Sequence, residues 1–134
     1  MILEQLIEKF SNRPGLTTQV SGEKFSILPS QADGFSVWIR EENGRKLTVG
    51  FDRWQETFTD ATQALACFAL GLSRDCRLKV YSRLGARYHW VVQQYVGGLW
   101  VDGPIHHESV FSLWPFRKTE YLQNDFLSGD TEKQ

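Results

Sequence analysis

Cysteine is scarce in this chain. Cys67 and Cys76 are the only two cysteines among 134 residues, one within an apolar helical pattern and one where a strand is predicted to begin. Two cysteines so placed do not form the framework of a disulfide-stabilised secreted domain. The opening MILEQLIEKF has neither a basic start nor a continuous apolar run, so it is not predicted to be a signal peptide. We therefore expect a cytoplasmic protein.

Long apolar runs and an excess of charge are also missing. No stretch approaches the roughly 20 apolar residues of a membrane-spanning helix, so we expect no association with a membrane. The formal net charge of -1 gives no overall attraction to nucleic acid. The composition, 41% hydrophobic and 23% charged, is typical of a globular protein. The length predicts one domain over residues 1–127, and the residues from 128 to 134 are expected to form a disordered tail.

Familiar catalytic and cofactor motifs do not occur. The sequence contains no GxSxG, phosphate loop, dinucleotide fingerprint or HExxH. His106, His107 and Glu108 are metal-ligand types, but adjacent residues rarely converge on one ion and no second ligand pair stands at metal-binding spacing. Cys67 is expected to be an inert core thiol, whereas Cys76 follows basic Arg74, whose charge would lower a thiol pKa. We therefore expect no metal and no cofactor, and an enzyme is disfavoured.

Apolar spacing predicts an α+β domain. An amphipathic helix is expected at the N-terminus, where Leu3, Leu6, Ile7 and Phe10 repeat at helical spacing. A second helix over 60–72, capped by Asp60, is apolar almost all round and should be buried. TTQV, KFSIL and KTEYL are predicted as short strands. With two longer β-hairpin regions, they predict a mostly antiparallel sheet of about five or six strands packed against both helices.

The first of these regions, residues 35–51, is predicted to turn at the Asn-Gly pair. A two-residue loop would scatter the apolar side chains over both faces. A three-residue loop pairs Ile39 with Leu47 and keeps the apolar residues together, while Trp38 and Arg40 face outward. We expect the three-residue loop.

The second region, residues 77–102, is predicted to form three strands with two tight turns. A two-residue turn at 84–85 would mix its apolar and basic rows, whereas a three-residue turn over 84–86 pairs Val80 with Trp90 and buries one apolar row. We expect the latter. The pair Gly97–Gly98 predicts the second hairpin. The predicted inner face is Leu78, Val80, Tyr88, Trp90, Val92, Val96, Leu99 and Val101.

The opposite face of these strands is the strongest functional feature of the sequence. It gathers basic and aromatic side chains, although basic residues also protect ordinary strand edges from aggregation. Its predicted members are Arg77, Lys79, Tyr81, Arg83, Arg87, His89, Val91, Gln93, Tyr95, Trp100 and Asp102. We select as candidate binding residues Lys79, Tyr81, Arg83, Arg87, His89, Tyr95 and Trp100.

Three functions are consistent with these patterns. The favoured one is a non-enzymatic binding domain whose basic and aromatic face engages an acidic protein partner. The second is a small-molecule or enzymatic pocket between sheet and helices, lined by Tyr88, His89, Trp90 or Trp100. The third, binding of single-stranded nucleic acid, is disfavoured by the near-zero net charge and the lack of an RNP-type motif. The sequence is compatible with a monomer or a homodimer.

Overall fold

The fold is taken from a computed structural model, which describes residues 2–11, 13–42, 46–103, 118–124 and 126. The fold class is α+β with mostly antiparallel sheet, as the sequence predicts. In chain order the described elements are α1 (Ile2–Ser11), β1 (Thr17–Ser21), β2 (Lys24–Leu28), β3 (Val37–Glu42), β4 (Lys46–Phe51), β5 (Trp54–Phe58), α2 (Ala61–Leu72), β6 (Cys76–Arg83), β7 (Ala86–Val96), β8 (Leu99–Asp102) and β9 (Lys118–Gln123).

The nine described strands form two antiparallel sheets, where we expected about five or six strands in one. The first sheet is a meander in the order β1-β2-β3-β4-β5, and the second has the order β8-β7-β6-β9. Both helices pack on the first sheet, and α2 also contacts β6. The core therefore lies between the helices and the inner faces of the two sheets. Its fully buried side chains include Phe25, Ile27, Val37, Ile39, Val49, Phe51, Phe68, Leu72, Leu78 and Val80.

The two predicted helices are present. The helical spacing in α1 buries Leu3, Leu6 and Phe10, as expected for an amphipathic helix. The predicted cap of α2 is confirmed, because the Asp60 carboxylate accepts a hydrogen bond from the backbone N–H of Thr62 at 2.8 Å.

Only one side of α2 is buried. Ala64, Phe68 and Leu72 lie in the core, whereas Ala66 and Ala69 are exposed, which the nearly all-apolar sequence did not predict. The exposed positions are occupied by alanine, whose small side chain gives up little hydrophobic free energy by remaining in contact with water.

The β3–β4 hairpin has the predicted faces in a different register. Ile39 pairs with Val49, two residues away from the predicted partner Leu47. A shift of two residues leaves every side chain on its original face, so the apolar alternation cannot distinguish the two registers. The last pair, Glu42 with Lys46, encloses three residues, as predicted for the loop length.

Trp38 points to the outer face of the first sheet, as predicted, but it is only 7% exposed. Its indole lies over Gly50, the opposite residue in β4. Its Nε1 donates a hydrogen bond to the backbone oxygen of Asp52 at 3.1 Å. Lys24 Nζ and Arg40 Cζ lie 4.6 and 5.3 Å from its ring. Trp38 is therefore a covered structural residue.

The long strands β6 and β7 pair as predicted, but through a different turn. Val80 lies opposite Trp90, which is the predicted pair. The turn itself contains two residues, Leu84 and Gly85, with φ angles of 53° and 83°. Positive φ at both positions is the requirement of a type I′ hairpin turn. The prediction of a three-residue turn over 84–86 was wrong.

A β-bulge explains how a two-residue turn and the predicted pairing coexist. Tyr81 pairs with His89, but Ser82 pairs with Arg87, so Tyr88 is an extra residue in β7. The extra residue shifts the register by one. From the Tyr81–His89 pair toward the base of the hairpin, the apolar side chains therefore face the core again. Tyr88 does not belong to the core cluster formed by the described residues, although we predicted it there.

Leu84 offers a direct test of this turn. The residue is 93% exposed and occupies the left-handed region, which is unfavourable for leucine. Asn-Gly is the preferred pair for this turn, so Leu84→Asn should raise the free energy of unfolding by about 0.5–1 kcal/mol. Urea denaturation measures the change. Leu84→Val, with a β-branched side chain, should lower stability; equal stability of the three proteins would contradict the turn.

Asp52 connects the two sheets. It lies in the turn between β4 and β5 with a φ of 55°. Its Oδ2 accepts a hydrogen bond from Trp90 Nε1 at 3.1 Å and lies 3.6 Å from Arg87 Nη1. Its backbone N–H donates to the Ser36 oxygen at 2.9 Å. One turn residue thus joins β7 to the first sheet.

Asn124 makes a second long-range connection, directly after β9. Its side chain is 1% exposed. Oδ1 accepts a hydrogen bond from the backbone N–H of Phe35 at 3.0 Å, and Nδ2 donates to the backbone oxygens of Phe35 at 2.9 Å and Gly71 at 3.0 Å. The amide therefore ties the end of β9 to the residues before β3 and to the last turn of α2.

The weakly patterned segments also form strands. TTQV and KFSIL are confirmed as β1 and β2, and KTEYL forms most of β9. We did not predict β5. Neither described helix has the length and apolar character that crossing a membrane requires. The predicted tail, residues 128–134, lies outside the described residues.

Candidate functional site

Six of the seven predicted binding residues share one face of the second sheet. Buried Leu78 and Val80 mark its inner face, so the alternate residues of β6 point outward. Strand β9 lies next to β6 and adds Tyr121, the partner of Lys79. We define the outer face as Arg77, Lys79, Tyr81, Arg83, His89, Val91, Gln93, Tyr95, Trp100, Asp102, Thr119, Tyr121 and Gln123. The predicted binding residues among them are Lys79, Tyr81, Arg83, His89, Tyr95 and Trp100.

Arg87 was predicted on the outer face and lies on the inner one. The bulge places it opposite Ser82, on the same side of the sheet as Val80. Its Nε donates a hydrogen bond to Glu120 Oε1 at 2.7 Å, and its Nη1 approaches Asp52. Arg87 is thus a solvent-exposed residue on the inner side of the second sheet, ion-paired with Glu120 and Asp52, and we remove it from the candidate site.

Arg77 occupies the centre of the outer face. Its guanidinium carbon lies 4.2 Å from the ring centroid of Trp100 and 4.2 Å from that of Tyr121. Both distances fall within the range of favourable cation–π contacts. The two rings come from β8 and β9, which lie on opposite sides of the β6–β7 pair. Three strands are therefore needed to build this clamp around one arginine.

A chain of hydrogen bonds fixes the orientation of the clamped guanidinium. Arg77 Nε donates to Gln93 Oε1 at 2.7 Å. Gln93 Nε2 in turn donates to Asp102 Oδ1 at 2.8 Å. Gln93 is only 6% exposed, so its amide has little freedom to turn away. The two rings thus fix the position of the guanidinium plane, and the hydrogen bond to Gln93 fixes the rotation of the guanidinium within that plane.

The aromatic pair Tyr81 and His89 forms a second part of the outer face. The rings stack with centroids 5.6 Å apart and planes 8° apart, and Tyr81 is 8% exposed. Lys79 Nζ lies 5.3 Å from the Tyr81 ring. A side-chain hydrogen bond with Tyr81 raises the pKa of Lys79, while partial burial acts in the opposite direction. Lys79 is therefore fully cationic at neutral pH.

The β7–β8 hairpin extends beyond the core. Tyr95 lies opposite Trp100, as predicted, with an edge-to-face ring distance of 5.2 Å. Val96, Leu99 and Val101 lie on the predicted face of their strands, but they are 54, 70 and 49% exposed. Their expected burial was wrong because the strands continue past the part of the sheet that the helices and the first sheet cover.

Basic side chains outnumber acidic ones among the described residues of the outer face. The described residues of the face include three permanent cations, Arg77, Lys79 and Arg83, and one acid, Asp102. The local excess of positive charge arises although the whole chain has a net charge of -1. A local field of this sign favours an anionic partner.

Three contributors to the clamp were not among our candidate residues: Arg77 itself, Gln93 and Tyr121. Alternation had placed Arg77 and Gln93 on the predicted outer face, but it gave no indication that they touch. Tyr121 was missed because the sequence contains no signal that β9 pairs with β6. The alternation of side chains along a strand shows which face of the sheet each residue occupies, but it does not show which strands lie next to each other.

The sequence-based expectation for His106, His107 and Glu108 concerns residues that lie outside the described ranges. Within the described ranges, no group of three or more His, Cys, Asp or Glu side chains is arranged to hold a metal ion.

The two cysteines are poor nucleophiles. Burial raises the pKa of the Cys67 thiol to about 12, and the charge of Glu56 acts in the same direction. Burial also raises the pKa of Cys76 to about 12, so the expected effect of Arg74 is overcome by desolvation. Because the thiolate is the reactive form, neither residue resembles a catalytic cysteine at neutral pH.

A cavity of about 370 Å³ lies between α2, β5 and β7. Its described lining residues do not include Tyr88, His89, Trp90 or Trp100, the residues that we predicted for a pocket. Strand β7 contributes Val92 and Gln94 instead, because Trp90 bonds to Asp52 and His89 faces the opposite side of the sheet.

Comparison with known proteins adds no relative: the chain matches no family model, no curated protein and no solved structure.

Proposed function

We propose that this protein binds an acidic segment of a partner protein through the outer face of its second sheet. The observation that carries the proposal is the clamp that holds Arg77 between Trp100 and Tyr121. A stacked guanidinium keeps its charge, and its planar fork of donors matches the two oxygens of a carboxylate. Because the side chain is already ordered, binding loses less conformational entropy than it would with a mobile arginine.

The surroundings of the clamp support the same ligand class. Lys79 and Arg83 add positive charge that would steer an acidic segment toward Arg77. Tyr95 and Tyr121 are each 46% exposed, so both rings offer apolar area beside the charged centre. Aromatic and arginine side chains at the centre of a contact typically dominate its binding energy.

Single-stranded nucleic acid is the competing ligand for a basic and aromatic face. Base stacking requires accessible ring faces. Tyr81 is stacked on His89 and almost covered, and Arg77 lies against Trp100 and Tyr121. The most central rings are therefore engaged within the protein, which favours carboxylate recognition over stacking.

The proposal is tested with a short fluorescent peptide of Glu, Asp and Leu. Fluorescence anisotropy compares it with the same peptide carrying Gln and Asn in place of the acids. We expect the acidic peptide alone to bind. Arg77→Gln should weaken its binding at least about tenfold, because a hydrogen bond to a charged group contributes roughly 1.5–3 kcal/mol. Arg77→Lys keeps the charge but loses the planar fork, so it should give a smaller loss.

Arg40→Gln is the matched control. Arg40 also lies against a tryptophan, but on the first sheet, so its loss should leave peptide binding unchanged. Equal effects of Arg77→Gln and Arg40→Gln would contradict the proposal. An oligothymidylate that binds more tightly than the acidic peptide, with an affinity that falls steeply with salt, would assign the face to nucleic acid instead.

A further inference from the structure

Strand β1 forms one edge of the first sheet, because it pairs with β2 alone among the described strands. Residues 13–28, which contain both strands, are all described, and four of the five residues of β1 are exposed. An edge strand carries backbone N–H and C=O groups that have no partner within its own sheet. It can therefore bind a further strand through the same hydrogen bonds that hold the sheet together.

β1 differs from the other edge strands in its lack of charge. The two sheets have four described edge strands, which are β1, β5, β8 and β9. Glu56 lies in β5, Asp102 lies in β8, and Lys118 and Glu120 lie in β9. The TTQVS sequence of β1 contains no charged residue. Charged side chains on an edge strand discourage pairing with another chain, so β1 alone lacks this protection.

The backbone groups that point to the open edge belong to Thr18 and Val20. The N–H of Glu41 in β3 donates to the backbone oxygen of Glu23. Because backbone groups alternate in direction along a strand, those of Phe25 are also directed to β3. Val20 lies opposite Phe25, so its N–H and C=O point away from β2, as do those of Thr18 two residues earlier. No hydrogen bond from another described residue reaches these groups.

We propose that two copies of this protein pair through β1 and join their first sheets into one continuous antiparallel sheet. The strand pairs with the same strand of the second copy about Gln19, its central residue. Thr18 of one copy then lies opposite Val20 of the other. Because both residues direct their backbone groups to the open edge, each donates a hydrogen bond to the other and accepts one from it. The interface is isologous, as in most homodimers.

The side chains also match in this register. Thr18 and Val20 lie on the side of the buried residues of β2, where they form β-branched cross-strand pairs that cover Val20, now 51% exposed. On the other side Gln19 meets Gln19 of the second copy, and each amide can donate to the oxygen of the other. Thr17 meets Ser21, which pairs two hydroxyl groups. Every position opposes a compatible uncharged side chain, so the second copy is the partner that this edge fits.

The symmetric register permits a charge-swap test at Gln19, which is exposed. Gln19→Glu and Gln19→Lys each place like charges opposite one another, so each variant alone should dimerise at least about tenfold more weakly than the native protein. An equimolar mixture of the two should recover dimers, since a carboxylate then faces an ammonium group. Sedimentation velocity over a series of protein concentrations measures the dissociation constants. Two short strands bury less than a standard interface, so we expect about 10–100 µM for the native protein.

Gln55→Glu is the matched control. Gln55 is also an exposed glutamine on the outer side of the first sheet, but it lies in β5 at the opposite edge. This variant should dimerise like the native protein. Arg77→Gln should do the same, so failure of β1 pairing and failure of the peptide-binding face are distinguishable.

Hydrogen exchange measured by NMR locates the contact. The amide protons of Thr18 and Val20 should exchange more slowly as the protein concentration rises, because they become bonded only in the dimer. The amide protons of Gln19 and Ser21 point to β2 and are already bonded in the monomer, so their exchange should change far less.

Three results would overturn the proposal. The first is a native protein that stays monomeric well above the expected dissociation constant. The second is a dimer that is unaffected by both Gln19 variants, or equally weakened by Gln55→Glu, because its interface would then lie elsewhere, as on the exposed β7–β8 hairpin. The third is a mixture of Gln19→Glu and Gln19→Lys that dimerises no better than either variant alone.

Discussion

Replacing Asn124 by alanine should lower the free energy of unfolding by about 3–5 kcal/mol, the largest loss that we expect from a single polar side chain here. The amide is 1% exposed and serves three backbone groups, the N–H and C=O of Phe35 and the C=O of Gly71. Alanine would leave these groups without their partner in a buried site, where each costs about 1–3 kcal/mol. Urea denaturation followed by far-UV circular dichroism measures the loss.

Gln31→Ala is the matched control for Asn124. Gln31 also donates a side-chain amide hydrogen bond to a backbone oxygen, that of Gln123, but it is exposed. Water can replace that bond, so we expect a loss below about 1 kcal/mol. If Asn124→Ala is no more destabilising than Gln31→Ala, the connection between β9, α2 and the residues before β3 is not as the structure places it.

The second large effect is expected at Gly50, where alanine should lower the free energy of unfolding by about 2–3 kcal/mol. Alanine is normally the better strand residue, because glycine loses more conformational freedom on folding. Here a Cβ atom would overlap Cε2, Cζ2 and Nε1 of the Trp38 indole. The indole would have to move, losing its hydrogen bond to Asp52 and its contact with Lys24.

A double-mutant cycle isolates this contact. In a Trp38→Ala background the space above residue 50 is open, so adding Gly50→Ala should cost nothing or raise stability slightly. We therefore expect a coupling free energy of about 2 kcal/mol or more between the two positions. Urea denaturation of the four proteins gives the value. Simple addition of the two single losses would contradict the packing of Trp38 on Gly50.

Local periodicity in the sequence correctly predicted the features of the fold that depend on residues close together in the chain. The spacing of Leu3, Leu6 and Phe10 predicts α1, and Asp60 predicts the start of α2, because both features act within one or two turns. The pairing of Val80 with Trp90 was also predictable, since burial of one apolar row leaves few acceptable registers. The turn was predicted wrongly because a bulge can compensate for a turn that is one residue shorter.

The features that the sequence did not predict depend mainly on contacts between segments that are far apart in the chain. Division into two sheets cannot be inferred from alternation, which is the same in either arrangement. The WQETF sequence of β5 alternates recognisably, but we did not predict this strand because it is short and lies directly before α2. The clamp around Arg77 requires β8 and β9 on opposite sides of the β6–β7 pair, and no local feature of Tyr121 indicates that position.

The bulge at Tyr88 separates the tip of the β6–β7 hairpin from its base. Alternation is interrupted there, so adding or removing a residue between Ser82 and Tyr88 changes which side chains face outward only at the tip. The pairs from Tyr81 with His89 onward keep their faces, and with them the surroundings of Arg77. Apart from Arg83, which lies at the tip, the proposed binding face is thus insulated from changes in chain length at the turn, so the tip is a suitable place to insert a label or an affinity tag.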